Sequence, residues 1–137
     1  MSGARVRASV EQFYAHHMQL LDDGRIKEWA SLFTEDGTFT VGSHPEPARG
    51  REQIVAGATR TVEQLRAQGI ARRHWLGMAD IAAEGEGLRV RSYALVFQIT
   101  ASEGAALRSS TTCEDVLVPD GESWLIRSRL VVTDAPA

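Results

Sequence analysis

Apolar residues recur at three- and four-residue spacing through Val6, Val10, Phe13, Tyr14, His17, Met18 and Leu21, while Ser9, Gln12, His16, Gln19 and Asp23 fall on the opposite side. That spacing predicts an amphipathic helix. Gly24 stands where the helix should end in a left-handed cap. A second helix is expected over about Ile26 to Phe33, with Trp29, Leu32 and Phe33 on its apolar face, before the Asp36-Gly37 turn opens a short strand at Thr38 to Gly42. Ser43 to Gly50 holds Pro45 and Pro47 and cannot be regular. A third helix then runs from about Arg51 to Gln68, with Gly69 as its stop.

Beyond Gly69 the pattern changes to strands in meander order: about Arg72 to Ala82, Leu88 to Thr100, Leu107 to Val118 and Ser123 to Val132. Gly85-Glu86-Gly87, Ser102-Glu103-Gly104 and Pro119-Asp120-Gly121 supply the turns. Three helices followed by antiparallel strands predict an α+β fold in which the helices cover one face of a curved sheet and a cavity lies between them. The last strand alternates Trp124, Ile126 and Leu130 on one face with Leu125 and Val131 on the other. With apolar residues on both faces, the outer one needs cover, and a homodimer through that face is expected.

The chain has 137 residues, the size of one domain, so residues 1–137 are read as a single unit. Its one cysteine, Cys113, excludes an intramolecular disulfide. The first residues are polar and basic where a signal peptide needs an apolar run of about seven or more, so a cytoplasmic protein is expected. No apolar stretch approaches the roughly 20 residues of a membrane span. A formal charge of -3 gives no general attraction to nucleic acid or anionic lipid, and neither is expected as a partner. There is no phosphate-binding glycine loop, nucleophile elbow, His-x3-His or Cys-x2-Cys. His16 and His17 diverge by about 100 degrees around the helix and cannot share one ion. No cofactor and no metal are expected, which leaves acid–base chemistry.

His74 opens the first long strand within Arg73-His74-Trp75-Leu76-Gly77. Histidine titrates near neutrality, so it can give or take a proton; the alternative from the residues alone is a half-buried ring that satisfies a backbone carbonyl. His17 lies on the apolar stripe of the first helix, either as a core histidine or as a donor, and Tyr14 one turn earlier offers a hydroxyl or simply packs. Glu114 and Asp115 point to opposite faces of their strand, so at most one reaches the cavity. Pairing with Arg127 or Arg129 across the hairpin is the favoured role for such a carboxylate. Cys113 is read as a small packing residue and His44 as an exposed loop residue at the pocket mouth or simply in solvent.

Two segments, Phe13 to Val41 (FYAHHMQLLDDGRIKEWASLFTEDGTFTV) and Thr111 to Asp134 (TTCEDVLVPDGESWLIRSRLVVTD), resemble the SnoaL-like branch of the nuclear-transport-factor-2-like superfamily. That superfamily includes ketosteroid isomerase, scytalone dehydratase and dioxygenase beta subunits. The resemblance implies a cystatin-like α+β cone, three N-terminal helices packed on a curved antiparallel sheet. It implies catalytic roles for His74, set like the strand histidine of scytalone dehydratase, and for His17 or Tyr14 as donors to a developing oxyanion. Phe33, Trp75, Leu76, Met78 and Tyr93 become candidates for substrate binding. The ketosteroid isomerase base falls at or beside Val41, no Arg-x-Asp element exists, and Tyr93 to Ile99 holds no second strand histidine. The implied activity is cofactor-independent cyclisation, dehydration or isomerisation of an apolar aromatic or polyketide-derived carbonyl compound. Leu21-Asp22-Asp23-Gly24-Arg25 and Trp29 also resemble dioxygenase beta subunits, whose implication is a non-catalytic protein that binds a ligand or assists a partner oxygenase.

Overall fold

The computed structural model describes residues 3–42 and 46–135; His44 lies outside them. The order is α1 (Gly3–Asp22), α2 (Ile26–Ala30), β1 (Phe33–Val41), β2 (Ala48–Arg49), α3 (Gly50–Ala67), β3 (Ala71–Glu84), β4 (Gly87–Thr100), β5 (Gly104–Asp120) and β6 (Ser123–Thr133). The stripe expected for α1 is buried at Val10, Phe13, Tyr14, His17 and Met18, joined by Leu20. The helix ends as its glycine predicts. Gly24 takes φ 78°, its N–H donates to Leu21 O (3.0 Å), and the Arg25 N–H donates to Leu20 O (2.9 Å). These two bonds satisfy carbonyls that have no partner inside the helix.

Helix α2 stops at Ala30, short of the expected Phe33, and Phe33 instead begins β1. The cause is tertiary. Arg51 donates from Nε to Phe33 O (2.9 Å) and from Nη2 to Ser31 O (3.2 Å), and Leu32 O accepts from the Ile126 N–H (2.8 Å). Carbonyls held by α3 and β6 support an extended chain where local spacing favours a further helical turn.

The six strands form one sheet in the order β2-β1-β6-β5-β4-β3. The meander β3 to β6 is antiparallel as expected, but β1 lies parallel to β6, so the sheet as a whole is mixed. Alternation in a sequence reveals a strand's faces and not its neighbour. A parallel pair needs a long crossover, here everything between β1 and β6.

Helix α1 packs against β3 and β6, and α3 against β1 and β2, so the helices rest on the two flanks of the sheet and bridge its middle. At one end the space is closed by Val10, Leu88, Val90, Leu117, Trp124 and Ile126, all buried, and Trp124 Nε1 donates to Ser9 Oγ (3.0 Å) to tie β6 to α1. Farther along, Phe13, His17, Trp29, Phe33 and Phe39 form a chain of ring contacts at centroid separations of 5.3–6.0 Å. At the other end the inward positions Val96 and Gln98, opposite His74 and Arg72, are only half-buried. The molecule is thus a cone whose packing loosens toward the end of β3 that carries Arg72 and His74.

A bulge alters the expected faces of β6. Val116 pairs with Ser128 but Leu117 with Ile126, so Arg127 is an extra residue. The strand therefore changes phase. Trp124 and Ile126 face inward as expected, but beyond the bulge Arg129 and Val131 take the inner face and Leu130 the outer, the reverse of a regular alternation.

Candidate active site

Four polar residues from three elements meet inside the cone. Asp115 of β5 and Arg129 of β6 are cross-strand partners and form a two-pronged ion pair, Nε to Oδ1 and Nη2 to Oδ2, both 2.9 Å. Tyr14 of α1 donates its hydroxyl to Asp115 Oδ2 (2.8 Å). The remaining prong of the guanidinium, Nη1, donates to His17 Nε2 (2.9 Å). Asp115 is fully buried and Arg129 nearly so, and such a pair is tolerable because each nitrogen and oxygen of it has a hydrogen-bond partner. Burial opposes the charge on Arg129, but Asp115 outweighs it and the guanidinium pKa is raised. The hairpin pairing expected from sequence is present, with Asp115 and Arg129 as the pair. Glu114 lies on the other face of the strand.

This network sets the state of His17. A guanidinium only donates, so Nε2 supplies a lone pair and the neutral ring carries its proton on Nδ1. Burial first, and the Arg129 charge second, push the His17 pKa well below its ordinary value. His17 is therefore a neutral N–H donor, stacked between Phe13 and Trp29 at 5.7 and 5.4 Å. Its Nδ1 is buried with no hydrogen-bond partner among the described residues, and so is Trp29 Nε1 on the adjacent ring. Buried donors are rarely left unmet. Tyr14 differs: its proton is committed to Asp115, and burial followed by the Asp115 charge raises its pKa well above the usual phenol value.

His74 sits nearer the open end of the cone. Its Nδ1 lies 2.7 Å from Asp22 Oδ1, and the same carboxylate accepts from the His74 backbone N–H at 3.1 and 3.2 Å. Asp22 terminates α1, so a helix end and a strand start are joined by one side chain. A carboxylate on Nδ1 fixes the ring's orientation and leaves Nε2 as the nitrogen for proton exchange. His74 and His17 are close enough that a charge on His74 contributes to lowering the His17 pKa.

The residues expected to line a pocket divide between the two faces of the sheet. Phe33 is fully buried, and Leu76 packs on the core. Trp75, Met78 and Tyr93 are 54%, 74% and 44% exposed. They do not share the inward face with His74. Alternation requires it: with His74 inward, Trp75 is outward, and Tyr93 is outward between the buried Ser92 and Ala94. Met78 stands in a bulge between Gly77 and Asp80 with φ 55°. Trp75 and Tyr93 instead border an outer groove of about 410 Å³ with Arg91, Leu95, Ser110, Thr112 and Asp134.

Asp22 was not singled out by sequence reasoning. A signal for it existed, since an acid in the last turn of a helix opposes the helix dipole and so calls for a compensating partner. Cys113 is buried beside Asp115, its Sγ 3.4 Å from Oδ1, and burial followed by that charge pushes the thiol up to about 12. It is a protonated packing group. Among the described residues no cluster of His, Cys, Asp and Glu could hold a metal ion, and no helix is long and apolar enough to cross a membrane.

The family model of the SnoaL-like domain matches residues 3–130, and the chain belongs to that family. ActVI-ORFA from Streptomyces coelicolor is 31% identical, with 96% of this chain and 97% of that one aligned at a TM-score of 0.87. A protein from Catenulispora acidiphila, solved in complex with S-DNPA, is 33% identical over 96% and 95% of the two chains, with a TM-score of 0.85. An NTF2-like protein with a cystatin-like fold from Novosphingobium aromaticivorans, 24% identical over 96% and 83% of the chains at a TM-score of 0.80, shares the fold. No protein of curated function matches the sequence.

Proposed function

We propose that this protein is a cofactor-independent acid–base enzyme of secondary metabolism that cyclises, dehydrates or isomerises an apolar aromatic or polyketide-derived carbonyl compound held in the cone. The observation that carries the reading is the Asp22–His74 pair, an imidazole oriented by a carboxylate on the inward face of the sheet. His74 Nε2 transfers the proton. The Nδ1–H of His17, held in that tautomer by Arg129, donates to the oxygen on which negative charge develops, where a fixed donor in a water-poor site is worth most. Tyr14 supports this donor indirectly, by holding Asp115. Phe33 and Leu76 contribute apolar surface beneath the substrate.

The likeness to a Catenulispora protein solved with S-DNPA supports a small-molecule ligand and supplies a probe. Purified protein is titrated with S-DNPA and incubated with a panel of aromatic ketones, with products followed by chromatography. The wild type should turn over at least one of these alone, and His74→Ala should lower the rate by about 10²- to 10⁴-fold while affinity changes by a small factor. If binding persists but His74→Ala keeps the wild-type rate, or no turnover occurs without a partner oxygenase, the protein is a ligand-binding or auxiliary one.

The exposed Trp75, Tyr93, Leu107 and Val132 lie on the sheet face opposite the helices. In our reading a second copy of the chain covers that face, which makes the working protein a homodimer with two independent cones.

A further inference from the structure

We propose that Arg72 and Arg108 form a receptor for a carboxylate carried by the molecule that occupies the cone, placing that acid arm at the mouth and the reacting carbonyl beside His74. The inference rests on the reading of the cone as a ligand cavity and adds a substrate class, aromatic acids. Arg72 stands two residues before His74 on the same inward face, opposite Gln98. It is half-buried, and its Nε is buried without a hydrogen-bond partner. Arg108 is the extra residue of a second bulge, where Val96 pairs with Ser109 but Phe97 with Leu107.

Neither arginine makes an ion pair among the described residues, and Arg72 differs from the other arginines without one in having its Nε buried with no acceptor. Burial, and then the charge of Arg108, lower the Arg72 pKa, so Arg108 is within electrostatic reach of Arg72. Asp22, the acid that ends α1, is bound to His74. A half-buried guanidinium without a counter-charge, next to a second one, suits a ligand that brings its own anion. A planar carboxylate matches the guanidinium fork with two parallel hydrogen bonds.

The test compares 1-naphthaleneacetate with 1-naphthaleneacetamide, the same ring with and without a charge, by calorimetry and tryptophan fluorescence. The acid should bind about 10- to 100-fold more tightly to the wild type. Arg72→Gln should abolish that preference, Arg72→Lys should restore part of it, and Arg108→Gln, a change at an exposed site, should weaken it in a protein whose fold is not in question. Arg91→Gln, in the outer groove, should leave it intact. Equal binding of acid and amide to the wild type overturns the receptor while leaving the cavity reading in place. A preference that survives Arg72→Gln, or that disappears with Arg91→Gln instead, also overturns it. Binding of neither probe overturns the receptor together with the cavity reading.

Discussion

Single side chains do most of the deciding inside this cone. His74 has a partner that both orients it and chooses its tautomer, so in the proposed reaction Asp22 acts as a positioning residue. Asp22→Asn should lower kcat by about 10- to 10³-fold with KM nearly unchanged. A purely structural Asp22 would lower the unfolding midpoint and leave kcat of the folded fraction where it was. His17 makes a different forecast, on stability. Burial and Arg129 hold its native pKa well below 6.5, so below about pH 6.5 the unfolded chain takes up a proton that the native one refuses. The stability it contributes is complete above that pH and is lost as the pH falls below it, at no more than about 1.4 kcal/mol per pH unit. His17→Gln keeps an acceptor for Arg129 and removes the titration. Its denaturation midpoints between pH 7 and pH 5.5 should fall less steeply than those of the wild type, and equal slopes would mean that native His17 takes up the proton.

Among the elements, strands β5 and β6 bring Asp115 and Arg129 together because a bulge adjusts which residues of β6 face inward. The extra Arg127 brings Arg129 to the inner face opposite Asp115; regular alternation from Trp124 would have turned it out. Close approach between β4 and β5 sets a second constraint. A Cβ at Gly87 would collide with the backbone carbonyl of Leu117, which cannot swing aside as a side-chain tip can. Gly87→Ala should therefore destabilise the protein by about 2 kcal/mol or more, measured by urea denaturation. A loss comparable to that of an exposed substitution would show that the two strands can separate at this end without cost to the rest.

For the molecule as a whole, the sheet has one face committed to the helices and another with Trp75, Tyr93, Leu107 and Val132 exposed. A shared apolar face predicts that light scattering at micromolar concentration gives twice the mass of a single chain. Trp75→Glu combined with Tyr93→Glu should shift this to the monomer, with each cone still binding its ligand. A wild-type monomer under those conditions would remove the dimer, and with it the explanation for the outer aromatics.

The linear pattern of the chain was enough for the helices, the meander and the α+β cone, because burial periodicity and glycine stops are local properties that survive in one dimension. The α1 stripe and the turns at Gly24 and Gly69 are examples. It also singled out His17 and His74, since a histidine on an apolar stripe or at a strand start is visible without coordinates. What only the folded chain decided are the relations between segments far apart in sequence. The end of α2 depends on Arg51 and Ile126, the parallel pairing of β1 depends on where β6 arrives, and the inner face of β6 depends on a bulge. The partner of His74 lies 52 residues earlier, and the tautomer of His17 is set from 112 residues away. Trp75, Met78 and Tyr93 looked like pocket residues by their apolar character, which is the same for a cavity wall and an outer face. Only the pleat and the bulges, which fix the direction of each side chain, distinguish the two.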